Sequence, residues 1–203
     1  MTATPGRMSG KPGDVIPIAV VFDHKGKWHT QAGKEAAGST PVDPDAITTK
    51  VSVVSDDPRF IARADAVQWP AAKVLETRAM GGASKVAVFE GRSIVYIPVE
   101  IAPDAKSGNG TLAVNVSFQA CDDKVCLNPA DQRFELTLAV ASSAGSSGWT
   151  YPELFGAYRP VSATQAPLPP GSAAGVGLLT ILTAVLVGVG VIGVVVIALL
   201  RKK

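Results

Sequence analysis

The chain has 203 residues, enough for one domain with appendages, and a formal net charge of +2. Arg201, Lys202 and Lys203 at the C-terminus supply more than that surplus, so the remainder is nearly neutral and offers no electrostatic footprint for nucleic acid. With 2 Cys and 2 His, and no Cys-x-x-Cys-His run or phosphate-cradling Gly loop, haem and nucleotide chemistry are excluded and no cofactor is expected.

Residues 1–13 are rich in Gly, Ser, Thr and Pro and are expected to form a flexible arm. They contain no apolar h-region, so they are not a secretory signal peptide. Residues 14–141 then hold short apolar runs separated by turn residues, the pattern of an all-β sandwich. Val15 to Phe22 is the first run, and Pro17 favours an edge position for it. Ile47 to Val54 follows, ended by the acidic turn Ser55-Asp56-Asp57-Pro58. Lys85 to Glu90 and Ser93 to Ile101 read as a hairpin about Gly91 and Arg92. The clearest pair is Thr111 to Gln119 with Arg133 to Val140. There Leu112, Val114, Val116 and Phe118 alternate with polar or small residues, and Phe134, Leu136, Leu138 and Val140 repeat the pattern. No helical period is long enough to place a helix in the core.

Residues 142–174 read as a linker, flexible at Ser142 to Gly148 and stiffer at Ala166 to Ser172. Within it lie four aromatics, Trp149, Tyr151, Phe155 and Tyr158. One reading folds them back onto the sandwich; the other makes them a docking strip for a partner or the membrane surface.

Gly175 to Leu200 runs without a charged residue. At about 1.5 Å per residue it exceeds the ~30 Å of a bilayer's hydrocarbon core, so 175–200 is expected to be a single transmembrane helix. The basic tail 201–203 places the C-terminus in the cytoplasm and the large N-terminal part outside, the compartment that also suits a cysteine pair. Gly177, Thr180, Ala184 and Gly188 form one small-residue face, which allows close approach to another helix in lipid.

The chemistry concentrates in Cys121 and Cys126, in the loop of the best hairpin (Phe118-Gln-Ala-Cys-Asp-Asp-Lys-Val-Cys-Leu-Asn-Pro129). The spacing lets the sulfurs meet. Two readings stand. As a staple, so small a loop contributes only about 2 kcal/mol on the chain-entropy model. As a redox pair, it would exchange with a partner thiol. Lys124 favours a thiolate and Asp122 and Asp123 oppose it, so the neighbours do not decide. Zinc held by these cysteines with His24 and His29 is set aside, because the pairs lie far apart in sequence; the histidines read as polar residues flanking the Gly26–Trp28 turn.

This loop, with Gly110-Thr-Leu-Ala-Val-Asn-Val before it, resembles the N-terminal periplasmic domain of the thiol:disulfide interchange protein DsbD. The resemblance extends upstream through Lys27-Trp-His-Thr-Gln-Ala32, Val67-Gln-Trp-Pro70 and Phe89-Glu-Gly to Val99, covering about residues 12–141. It implies an immunoglobulin-like sandwich whose cysteine pair takes electrons from a thioredoxin-like domain and passes them to extracytoplasmic thiol–disulfide proteins. Carried over, Cys121 and Cys126 are the redox pair and Cys126 attacks partner disulfides. Asn128 departs from the family's frequent proline, and one apolar span stands where the family has a multi-span electron-conducting domain and a thioredoxin domain.

Two functions follow as expectations. One is a thiol–disulfide exchange module anchored in a bacterial inner membrane, its domain periplasmic, not an autonomous enzyme. The other is a non-catalytic subunit of a larger membrane complex, such as a respiratory or photosynthetic one, with the sandwich docking and the helix packing on partner subunits.

Overall fold

The computed structural model describes residues 1–38, 40, 42, 46–77, 84–143 and 148–163. The predicted transmembrane helix, its face of Gly177, Thr180, Ala184 and Gly188, and the Ala166 to Ser172 segment lie outside the described residues. Among the described residues no helix is long and apolar enough to cross a membrane.

The described part is almost entirely β-structure. In chain order the strands are β1 (Thr2–Pro5), β2 (Ser9–Gly10), β3 (Val15–Asp23), β4 (His29–Gln31), β5 (Lys50–Val54) and β6 (Phe60–Ala62). They continue with β7 (Lys73–Thr77), β8 (Ser84–Glu90), β9 (Arg92–Ile101), β10 (Gly108–Phe118), β11 (Ala120–Cys121) and β12 (Ala130–Val140). Two one-turn helices, α1 (Lys34–Ala37) and α2 (Pro152–Phe155), and a 3-10 turn at Ala64–Ala66 interrupt them. Three sheets result, ordered β1-β3-β9-β6, β2-β12-β10-β5 and β11-β4-β8-β7.

The first two sheets face each other across the core. Ile16, Ile18, Val20 and Phe22 of β3 and Val95, Ile97, Val99 and Ile101 of β9 meet Leu112, Val114 and Val116 of β10 and Leu138 and Val140 of β12. Every second residue of each strand supplies this layer, as the pleat requires. The predicted β10–β12 pair forms in antiparallel register, with Leu112 opposite Leu136 and Val114 opposite Phe134.

Three expectations are corrected and one open reading is resolved. Residues 1–13 are not a free arm: β1 pairs antiparallel with β3, and β2 runs parallel to β12. Backbone hydrogen bonds rather than an apolar side-chain rhythm hold these strands, so composition hid them. Their glycines permit close approach instead of flexibility. A Cβ on Gly10 would sit 2.9 Å from Ile101 Cδ1, and one on Gly6 would sit 3.0 Å from the Trp149 ring.

Strand β3 is interior, despite Pro17. Pro17 stands opposite Pro98 on β9, where neither residue needs to donate to the other. The carbonyls that the two prolines leave without a donor find others: Thr150 N–H donates to Gly6 O at 2.8 Å, and Ala66 N–H to Arg63 O at 3.0 Å.

Strands β8 and β9 are consecutive but form no hairpin; they belong to different sheets. A single residue, Gly91 at φ 60°, joins them, which is shorter than a two-residue hairpin turn. The chain therefore passes from the third sheet to the first at this point.

The aromatic segment follows the first of its two readings and folds back onto the sandwich. Phe155 and Tyr158 are buried, Trp149 is half-buried, and all three pack with Leu154 on Ala19, Ile94 and Tyr96, the back of the first sheet. Polar contacts pin the strap. Tyr96 Oη donates to Leu154 O at 2.7 Å, and Gln68 receives Arg159 N–H at 2.9 Å while donating to Arg159 O at 2.6 Å. Arg7 lies 4.8 Å over the Trp149 ring. Of the predicted docking strip only Tyr151 remains exposed. Strands β3 and β9 are thus covered on both faces, which explains why they read as continuous apolar runs.

Candidate functional site

The segment between β10 and β12 folds as a second, smaller hairpin. Cys121 and Cys126 stand opposite each other across it and are disulfide-bonded. Leu127 N–H donates to Ala120 O at 2.8 Å and Asp122 N–H to Val125 O at 2.9 Å, closing the tip. Asp122 Oδ1 accepts from the amides of Lys124 and Val125 at 2.7 and 2.8 Å, an Asx-type cap. These two amides hold the Asp122 carboxyl below its ordinary value. A depressed carboxyl contributes above its unfolded value and is lost only as pH falls through the folded one, so the cap is intact throughout the neutral range.

The two sulfurs have unequal surroundings. Cys121 is 2% exposed, whereas Cys126 lies in an exposed stretch. Val125 and Leu127, 50% and 51% exposed, flank Cys126 with apolar surface. An incoming group therefore meets Cys126 first. The resemblance gave Cys126 the attacking role, whereas its greater exposure comes from the docking of β11 on β4.

That docking also brings the histidines in. His29 on β4 is opposite Cys121 on β11, although roughly ninety positions separate them in the sequence. Zinc is not what unites them, because both sulfurs are committed to the disulfide. Lys27 Nζ meets Asp123 Oδ2 at 2.6 Å, tying the turn before β4 to the cysteine loop. His24 is structural. Its Nδ1 faces Gly91 O at 3.0 Å, so it carries the proton, and its Nε2 meets Thr30 Oγ1 at 3.2 Å. Burial holds its pKa below the usual value, leaving it neutral. His29 differs, being 5% exposed with Nδ1 3.2 Å from Lys27 O. Its place beside the cysteine was illegible from the sequence, since a three-residue strand carries almost no periodicity. The one signal was the Lys27 to Ala32 stretch that already carried the resemblance.

Comparison with known proteins agrees with the location of this site. No curated protein matches the chain. Among solved structures, a family 123 glycoside hydrolase from Clostridium perfringens, described for glycolipid glycan hydrolysis, aligns at 12% identity and a TM-score of 0.33. That alignment covers 67% of this chain and 23% of the hydrolase, so the chain spans under a quarter of its length. Residues 44–138, which include both cysteines and the capped loop between them, match the family described as thiol:disulfide interchange protein DsbD, N-terminal. The chain thus carries a domain similar to the N-terminal domain of that interchange protein.

Proposed function

We propose that the protein is a membrane-tethered thiol–disulfide exchange module, with an immunoglobulin-like sandwich held on the extracytoplasmic side by the 175–200 helix. It relays electrons between thioredoxin-like proteins and other extracytoplasmic thiol–disulfide partners. The observation that carries this reading is the exposed Cys126, next in sequence to the exposed Val125 and Leu127 and bonded to a buried Cys121. A structural staple gains nothing from presenting one of its two residues to solvent. An exchange disulfide needs it, because the attacking thiolate must reach one sulfur in line while the other leaves.

The exchange itself is tested with the oxidised full-length chain and a reduced thioredoxin-like protein. Alkylation should show both cysteines becoming thiols as the partner becomes a disulfide, with a potential between roughly −270 and −120 mV. A pair that stays oxidised in this mixture, with a potential below about −300 mV, is a staple and defeats the proposal.

Placement has its own test. The charge-free span followed by Arg201, Lys202 and Lys203 motivates it. Protease added to intact spheroplasts should remove the sandwich and leave a short membrane-embedded fragment. A sandwich cleaved only after lysis would put it in the cytoplasm.

A further inference from the structure

The third sheet sets three chemically distinct side chains in one row. Cys121 on β11 is opposite His29 on β4, and His29 is in turn opposite Glu90 on β8. Residues directly opposite in a ladder share a face, with Cβ atoms about 5 Å apart. A sulfur, an imidazole and a carboxylate therefore lie side by side on neighbouring strands. The first two are buried, at 2% and 5% exposure, whereas Glu90 reaches solvent.

We propose that His29 manages the proton of the Cys121 sulfur during exchange, with Glu90 supporting its charged form. The inference rests on the exchange function above and assigns it a residue.

A partner thiolate attacks Cys126 Sγ, and a partner–Cys126 disulfide forms. The Cys121–Cys126 bond breaks and its electron pair stays on Cys121 Sγ. Buried beside β4, that thiolate has little solvent to stabilise it, and an adjacent imidazolium offsets the cost and gives it a proton. The partner's second thiol then loses its proton to solvent and displaces Cys126 from the mixed disulfide, and the Cys126 thiolate, exposed to water, takes up a proton there. The partner leaves oxidised, and this chain holds two thiols. In the reverse direction neutral His29 takes the Cys121 proton.

The surroundings fit this role. Lys27 O can only accept, so Nδ1 of His29 carries a proton in the neutral ring and Nε2 is the basic nitrogen. Glu90 and Asp122 are the anions near the ring. Lys73 holds Glu90 below its ordinary value, and the Lys124 and Val125 amides do the same for Asp122. The other ionisable neighbour, His24, is kept neutral by its burial. The Lys27–Asp123 pair is internally balanced. Glu90 and Asp122 are thus carboxylates close to the imidazole that faces Cys121.

The test is the rate of reduction of the disulfide in the full-length chain, by dithiothreitol and by reduced thioredoxin, from pH 5 to pH 9. Each rate is expressed per attacking thiolate, which removes the attacker's own titration. The native chain should slow about tenfold between the acid and the alkaline end of this range. His29→Asn keeps a donor for Lys27 O but does not titrate; its profile should be flat and about tenfold lower at pH 6. Glu90→Gln, at a solvent-reaching position, should move the inflection to lower pH and serves if the Asn variant does not fold. A His29→Asn profile with the native inflection, or an inflection unmoved in Glu90→Gln, overturns the role of the row while leaving exchange intact. Failure of reduced thioredoxin to reduce the native chain at any pH overturns both.

Discussion

Cys121→Ser should trap a thioredoxin-like partner as a mixed disulfide at least about a hundredfold faster than Cys126→Ser does. The two variants have the same composition of thiols, one each, and differ only in which sulfur remains. In Cys121→Ser the thiol left is Cys126, in an exposed stretch between the exposed Val125 and Leu127. In Cys126→Ser it is Cys121, 2% exposed on β11 behind its own loop. Exchange requires the attacking and receiving sulfurs to approach in line, so access multiplies directly into the rate. The stability of the two variants should be similar, because each loses the same small-loop cross-link, worth about 2 kcal/mol. Gel-shift of the mixed disulfide against an oxidised partner, with thermal melts alongside, gives the measurement. Equal trapping by the two variants would mean that the loop opens freely and that the asymmetry has no functional weight. If neither traps, and the double Ser variant still assembles with its membrane partners, the accessory-subunit function stands in place of the relay.

Sequence and structure agree where side-chain rhythm does the specifying. The alternation Leu112, Val114, Val116 and its counterpart Leu136, Leu138, Val140 can be satisfied only by two strands with one face on a core, and β10 and β12 pair in that way. The cysteine loop was legible for a different reason: few residue types can do redox chemistry, and two of them stand in one turn. What stayed hidden depends on contacts distant in sequence. Strand β1, with the sequence TATP, has no apolar alternation and is held by its ladder to β3. Pro17 argued for an edge, yet the opposed Pro98 and the amide of Thr150 make an interior proline tolerable. His29 looked like a turn residue because nothing local marks β4 as the neighbour of β11. The strap was left open between two readings for a related reason. Ser- and Pro-rich flanks resemble a linker, and only the small Ala19 on the back of β3 shows where its aromatic rings fit.

That strap should prove to be part of the folding unit. Phe155→Ala is expected to cost about 3–5 kcal/mol, the range for emptying a buried aromatic site. Phe155 is 2% exposed, with its ring centroid 5.4 Å from Trp149 and 5.9 Å from Tyr96. Its removal leaves a void against Ala19 and loosens Tyr158, whose ring centroid lies 5.5 Å from Tyr96. Tyr151→Ala, at a position 47% exposed, should change stability by no more than about 0.5 kcal/mol. Chemical denaturation of the two variants separates the competing accounts of the aromatic segment. As a folded strap, Phe155 governs the stability of the sandwich in the absence of any partner. As a docking strip, its loss would leave the melting curve of the isolated chain unchanged and weaken only assembly. A chain ending after Val140 should lose still more, because the Tyr96 face of β9 would be open to water and the Gly6 carbonyl would lose the Thr150 amide. Native stability in either Phe155→Ala or that shortened chain would show that the first sheet needs no cover, and that the apolar residues on its back serve another surface.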